Sequence, residues 1–156
     1  GSEVIRLLAP FGCDLLVRDI IDKSNFCQEQ GALQAGLEEV LEQSNVISLH
    51  VPLTKETYQM VNEEFFKKMK STGFLINTSR GSVVDQSALK KALTNGQIKG
   101  AALDVFSEEP PQDQEFLSLP NLMATPHIGG NASESINAMG LSAINHLVSF
   151  FSKKPK

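Results

Sequence analysis

Short, largely apolar segments alternate along this chain with segments that carry apolar residues at helical spacing, and this alternation restricts the possible folds more than any other feature. A strand that is apolar along its whole length is buried on both faces, which is typical of parallel sheets covered by helices. The pattern therefore predicts βαβ units and an α/β fold with a doubly wound parallel sheet. The apolar segments lie at residues 15–17, 46–49, 74–76, 101–103 and 121–124.

Residues that begin or end helices mark the segments between these strands. Pro10 and Gly12 end the first helical pattern, and Asp85 is placed as the N-cap of a later helix. The last helix is the longest, and Asn131 with Glu134 fits a capping box at its start. The basic residues at 153–156 are expected to form a frayed end.

Composition and charge exclude several classes of protein. The chain has 156 residues, 41% of them hydrophobic and 21% charged, which is the balance of an ordinary globular domain. The formal net charge of −4 argues against a protein that binds nucleic acid or anionic membranes, because both need a basic surface. Cys13 and Cys27 have neither a disulfide framework nor metal-ligand spacing around them, so we expect no metal site. With no membrane span and no export signal in the sequence, a cytoplasmic location is expected.

Five successive strand ends are followed by residues that the fold itself does not need. Parallel α/β sheets bind ligands outside the carboxyl ends of their strands, so these residues are candidates for one site. Each has an ordinary explanation when taken alone: a turn-forming Asp, a solvated Arg, a His in a turn, a strand that ends at a proline. Their convergence on one edge favours a ligand site, whereas His50 and His146 are interpreted as ordinary histidines. The candidates are Asp19, Val51, Pro52, Arg80, Asp104 and His127, with Glu109 in the loop after Asp104.

These side chains have complementary chemistry for a dinucleotide and an organic acid. Asp19 lies 18 positions after Gly1, a spacing at which an acid can bind both ribose hydroxyls, and its charge favours NAD over NADP. Arg80 offers a planar fork for a carboxylate. Glu109 beside His127 would form a general acid–base pair, and Asp104 is placed to accept a hydrogen bond from a nicotinamide carboxamide.

Four linked motifs in this order resemble the D-isomer-specific 2-hydroxyacid dehydrogenase family. They lie at residues 50–54 (HVPLT), 77–81 (NTSRG), 103–110 (LDVFSEEP) and 125–130 (TPHIGG). The resemblance covers nearly the whole chain, and it implies a Rossmann-like fold in which Arg80 binds the substrate carboxylate and carbonyl. It also implies that His127 gives or takes the proton and that Glu109 tunes His127. Because relatives that oxidise formate carry Gln in place of Glu109, phosphoglycerate dehydrogenases and glyoxylate or hydroxypyruvate reductases are the similar members that we place first.

The same resemblance implies NAD as the cofactor, a small 2-keto or 2-hydroxy acid as the substrate, and a homodimer. No nucleic acid, membrane or metal ion is expected as a partner. The cofactor-binding residues that it implies are Gly1, Asp19, Val51, Pro52, Thr57, Thr78, Ser79, Arg80, Asp104, His127, Gly129 and Gly130.

The sequence departs from the family pattern at its start. Gly1 stands where the third glycine of the Gly-x-Gly-x-x-Gly fingerprint belongs, so the first strand and the first two glycines are missing. We therefore expect a fragment, with an incomplete NAD-binding domain at residues 1–130 and a C-terminal helix at 131–156 that returns to a mostly absent substrate domain. The missing strand should leave a gap in the sheet, and the fragment alone should show little or no turnover.

Two other functions stay open at this point. Transcriptional corepressors similar to this family keep the fold and use NAD to stabilise a dimer, and a dinucleotide-binding domain can also serve a different chemistry. A corepressor has no evident need for an acid–base pair, so Glu109 and His127 favour the enzyme.

Overall fold

The computed structural model describes residues 1–152 and forms two parallel sheets within that range. The smaller sheet pairs β1 (Leu16–Val17) with β2 (Leu33–Gln34). The larger sheet has the order β3 (Val46–Leu49), β4 (Phe74–Asn77), β5 (Gly100–Leu103) and β6 (Leu122–Ala124). Every pairing is parallel, which confirms the predicted α/β fold. The basic residues 153–156, predicted to fray, lie outside the described residues.

The two sheets are not paired with each other in the described part of the chain, so β1 and β3 are both edge strands. The sequence predicts this break, because the strand expected between them is not in the chain. At these edges Val46 on β3 is 53% exposed, whereas Leu16 and Val17 of β1 are half-buried.

Seven α-helices connect and flank the described strands, and most of their ends follow the sequence pattern. They are α1 (Ser2–Leu8), α2 (Ser24–Glu29), α3 (Leu37–Gln43), α4 (Glu63–Lys68), α5 (Gln86–Thr94), α6 (Gln114–Leu117) and α7 (Ser133–Ser152). Asp85 caps α5 as predicted, with its carboxylate accepting from the amides of Ser87 and Ala88. The helices α2 and α6 are too short to show a clear period and were not predicted. The capping box predicted at Asn131 is wrong, because α7 begins at Ser133 and Asn131 lies outside the N-cap position.

The hydrophobic core lies between the four-stranded sheet and the helices α4 and α5. Phe66, Leu75, Leu89 and Phe116 are fully buried in this core, where they pack the sheet against its helices. Helix α7 differs, because none of its residues is buried and its large apolar side chains are exposed. No helix among residues 1–152 is long and apolar enough to cross a bilayer.

Candidate active site at the carboxyl edge of the sheet

The register of the larger sheet aligns the ends of its four strands. Leu49 pairs with Asn77, Asn77 with Leu103, and Leu103 with Ala124. The residues that follow each strand therefore start from one row at one edge of the sheet. The four motifs that the sequence analysis identified lie at these strand ends. Strand register therefore explains why they come together at one edge of the sheet.

The turn that carries Arg80 is organised by a buried residue that the sequence analysis did not propose. The Oδ1 of Asn77 accepts hydrogen bonds from the amide nitrogen and the hydroxyl of Ser79, at 3.0 and 2.8 Å. Its Nδ2 donates to the carbonyl oxygen of Arg80 at 3.0 Å. The guanidinium of Arg80 is exposed and donates to the carbonyl oxygen of Ser79. The sequence signals for Asn77 are its place as the first residue of the NTSRG motif and as a polar residue at the end of an apolar strand.

Glu109 and His127 form the pair that the sequence predicts. The Nδ1 of His127 lies 2.7 Å from Oε2 of Glu109, although 18 residues separate them in the chain. The other carboxylate oxygen, Oε1, accepts from the backbone nitrogen of Phe106 at 3.0 Å. The hydrogen bond to His127 lowers the pKa of Glu109, and the bond from Phe106 adds to that effect. Glu109 is therefore held as a carboxylate that faces the imidazole.

Asp104 holds the loop that carries His127. Its carboxylate accepts from the Thr125 hydroxyl at 2.6 Å and from the backbone nitrogens of Ile128 and Gly129 at 2.9 and 2.8 Å. Burial acts to raise the pKa of Asp104, but these three hydrogen bonds outweigh it and the pKa is lowered. His127 lies between these tethers with a φ of 54°, a left-handed conformation that is uncommon for a residue other than glycine. The predicted contact of Asp104 with the nicotinamide carboxamide stays a prediction. The structure shows in addition that Asp104 binds the loop that carries His127.

The Arg80 turn and the Glu109 loop are in direct backbone contact. A Cβ atom placed on Gly81 would lie 1.9 Å from the carbonyl carbon of Phe106, so only glycine allows this approach. Phe106 is the residue whose amide binds Glu109. The contact therefore links Arg80, through its neighbour Gly81, to the loop of the acid–base pair.

An open crevice of about 530 Å³ lies beside the Arg80 turn. It brings together several predicted cofactor residues from the ends of β3 and β4, and it also includes His50, which the sequence analysis set aside. His50 lies against Gly1 and within 2.9 Å of the Ser48 hydroxyl. The lining residues are Gly1, His50, Val51, Pro52, Leu53, Thr78, Ser79 and Arg80.

The remaining predicted residues lie outside the crevice and outside the Glu109–His127 pair, or they hydrogen-bond within a neighbouring loop. The hydroxyl of Thr57 donates to the carbonyl oxygen of Pro52 at 2.7 Å and accepts from the amide of Thr54, so it closes its own loop. Asp19 follows β1 on the smaller sheet, where its carboxylate accepts from the amide of Ile21. Gly129 packs against the Asp104 carboxylate, whereas Gly130 is exposed with open space around it.

These features fit a dinucleotide. The crevice runs along the carboxyl edge of a parallel sheet, the Val51–Pro52 segment and the small Gly1, Thr78 and Ser79 line it, and Asp19 follows β1 of the smaller sheet. Among residues 1–152, no group of three or more His, Cys, Asp and Glu side chains is arranged for a metal ion. Fold and site together define a dinucleotide-binding α/β domain with Arg80 at its crevice and with a hydrogen-bonded Glu109–His127 pair at the same edge of the sheet.

Comparison with known proteins assigns the family within this class. Residues 1–129 match the family model "D-isomer specific 2-hydroxyacid dehydrogenase, NAD binding domain", and the chain belongs to this family. NAD is therefore the cofactor of this domain.

Curated relatives and solved structures agree with this assignment. The chain is 45% identical over 151 residues to a glyoxylate reductase of Korarchaeum cryptofilum, covering 96% of this chain and 46% of the relative. It is 44% identical over 159 residues to a glycerate dehydrogenase of Methylorubrum extorquens, covering 100% and 48%. A crystal structure of a glyoxylate reductase from Paecilomyes thermophila superposes with a TM-score of 0.91 at 33% identity, covering 98% of this chain and 46% of that one. A D-lactate dehydrogenase from Aquifex aeolicus, complexed with NAD and lactic acid, gives 0.86 at 34% identity, covering 97% and 50%. The chain thus spans about half the length of the relatives that it matches.

Proposed function

We propose that this chain supplies the NAD site and the catalytic side chains of an oxidoreductase that acts on 2-oxo and D-2-hydroxy acids. The observation that carries the proposal is the 2.7 Å contact between Glu109 and His127, next to an arginine turn at the same sheet edge. An acid–base pair and a carboxylate-binding cation are the two groups that reduction of a 2-oxo acid requires from a protein. Bound NAD supplies or accepts the hydride at C2 of the substrate.

Three side chains have separate roles in this proposal. Arg80 binds the substrate carboxylate and the neighbouring carbonyl oxygen through its guanidinium fork. His127 gives a proton to the C2 oxygen during reduction and removes it during oxidation. Because Nδ1 faces Glu109, this exchange falls to Nε2. The Glu109 carboxylate holds the ring in that orientation through its contact with Nδ1.

We also propose the domain organisation that the sequence predicts. Residues 1–130 would form the NAD-binding domain, and 131–156 would return to a substrate domain. The family match that ends at residue 129 and the exposed apolar side chains of α7 support this division. Because the relatives are about twice as long, we propose that the 156 residues alone show little or no turnover and that catalysis needs a second segment.

A homodimeric state and a cytoplasmic location are further parts of the proposal. The two cysteines are both free, with Cys13 exposed and Cys27 buried, as in proteins of a reducing compartment. Sedimentation velocity with and without NAD tests the dimer directly, and a monomer at micromolar concentration in both conditions would contradict it.

Oxidation of NADH by the enzyme that carries this chain, with glyoxylate and hydroxypyruvate as substrates, tests the proposed activity. Arg80→Ala should lower kcat/KM by about a hundredfold or more, because a charge-assisted bidentate contact is lost. Arg80→Lys should recover only part of it, since an ammonium cannot form the fork. Arg6→Ala removes an exposed arginine that binds Glu3 and should leave kcat/KM unchanged. Unchanged kcat/KM in Arg80→Ala would contradict the assignment, and NAD binding without turnover on any 2-oxo acid would favour a binding protein.

A further inference from the structure

Asn77 is a polar residue in a position that the strand pattern assigns to the hydrophobic core. It is 0% exposed and follows Leu75 by two residues on the same face of β4, where Leu75 is also fully buried. Burial of an amide is unfavourable unless its hydrogen bonds are replaced. An apolar side chain would suit the core at this position, so the amide must serve something at the end of the strand.

The hydrogen bonds of Asn77 are all directed to the turn that carries Arg80. Oδ1 accepts two bonds from Ser79, and Nδ2 donates one to the carbonyl oxygen of Arg80. The backbone carbonyl oxygen of Asn77 also accepts from the amide of Asp104 at 3.0 Å. Asn77 thus ties the Arg80 turn to the sheet and joins it to the strand end that holds the His127 loop.

We propose that Asn77 is a positioning residue for Arg80, so that its buried amide sets how well the guanidinium meets the substrate carboxylate without contacting substrate itself. The inference rests on the proposed function of Arg80. The side chain of Arg80 is long and exposed, and its base must be fixed if the guanidinium is to reach one place in the crevice. Three hydrogen bonds from a buried, rotationally restricted amide provide that fixed base.

Amide hydrogen exchange in the 156-residue chain tests the structural part without any activity. Asn77→Ala removes the acceptor of the Ser79 amide, so exchange at Ser79 should become about tenfold faster or more. Exchange at Ala102 in β5 should keep its rate relative to the rest of the sheet. Asn121→Ala is the matched control, because its amide donates to the carbonyl oxygen of Leu93 at the opposite edge of the sheet. Equal Ser79 exchange in wild type and Asn77→Ala would overturn the proposal.

A double-mutant cycle in the enzyme that carries this chain tests whether Asn77 acts through Arg80. Asn77→Ala should raise the KM for glyoxylate by about tenfold and lower kcat by less. In the Arg80→Ala background the same substitution should change kcat/KM by less than twofold, because the group that it positions is already absent. Asn121→Ala should change kcat/KM by less than twofold in both backgrounds.

Two results of the cycle would overturn the proposal. One is an equal loss from Asn77→Ala in both backgrounds, which would mean that it acts independently of Arg80. The other is a loss confined to kcat and to the melting temperature with KM unchanged, which is the signature of less folded enzyme. Failure of the wild-type enzyme to reduce any 2-oxo acid would instead contradict the proposed function, and the exchange experiment still decides whether Asn77 holds the turn.

Discussion

The carboxylate of Glu109 binds two groups at once: the Nδ1 of His127 at 2.7 Å and the backbone amide of Phe106 at 3.0 Å. The bond from Phe106 fixes the carboxylate to the loop after β5, and the bond to His127 fixes the imidazole to the carboxylate. The ring is thereby oriented from outside its own loop. Since Gly81 packs on the backbone of Phe106, the same loop also contacts the Arg80 turn.

Replacement of Glu109 by Gln tests the importance of the negative charge. The amide is similar in shape but cannot form a charge-assisted hydrogen bond to the ring, so kcat for glyoxylate reduction should fall by about tenfold or more with little change in KM. Steady-state kinetics between pH 5 and 9 provide the measurement. Glu108→Gln changes the neighbouring exposed glutamate and should behave as wild type. Wild-type kcat in Glu109→Gln throughout this range would show that the pair does not serve proton transfer.

Asp104 should stabilise the fold in a pH-dependent way. Its pKa is lowered from the ordinary value of about 3.8, so its contribution is present above that value and is lost as the pH falls through the folded-state pKa. Asp104→Asn should cost about 2 kcal/mol at pH 7, because an amide cannot accept from all three donors.

Urea unfolding of the 156-residue chain at pH 7, 5 and 3 measures this difference. The difference in the free energy of unfolding between wild type and Asp104→Asn should persist at pH 5 and become smaller at pH 3. Asp14→Asn alters an exposed aspartate and should show no such difference. A difference of constant size at all three pH values would mean that ionisation of Asp104 does not contribute.

Gly81→Ala should disrupt the contact between the Arg80 turn and the Glu109 loop. The added methyl group would meet the Phe106 backbone at 1.9 Å. Both segments are hydrogen-bonded, with the Gly81 carbonyl accepting from Val84 and the Phe106 amide donating to Glu109. We expect a loss of about 2–3 kcal/mol in the free energy of unfolding, as for an overpacked core site. Gly140→Ala, in α7 with open space around it, should be neutral or stabilising. Equal stability of Gly81→Ala and wild type in urea would contradict the packing.

Asp19 should determine the affinity for NADH and the preference against NADPH. Removal of the carboxylate in Asp19→Ala eliminates the hydrogen bonds to the ribose hydroxyls and the repulsion of a 2′-phosphate. The Kd for NADH should rise by about tenfold while the Kd for NADPH changes little or falls. Fluorescence titration measures both, with Asp14→Ala as the control. Parallel changes for the two nucleotides would show that Asp19 does not recognise the ribose.

Sequence patterns predicted the larger sheet, since apolar runs are a regularity that neighbouring residues display. The Glu109–His127 pair was predicted from the strand ends that the two residues follow and from the family resemblance. Apolar runs fix strands, and strand ends in a parallel sheet fix the edge at which the motifs lie. The patterns failed at α2 and α6, which have six and four residues and are too short for helical periodicity to be recognised. The interpretation of His50 as an ordinary histidine stays a prediction, although His50 is among the residues that line the crevice.

The sequence by itself determined which segments form strands and which polar residues follow each strand end. These follow from the periodicity of apolar residues and from residue type, and they decide which chemical groups meet at one edge of the sheet. Only the tertiary structure decided that Asn77 supports the Arg80 turn, that Gly81 lies against Phe106 and that Asp104 holds the His127 loop. The physical reason is that these contacts depend on the register between strands and on approaches of a few ångströms between loops distant in sequence. No local pattern of residues records such distances.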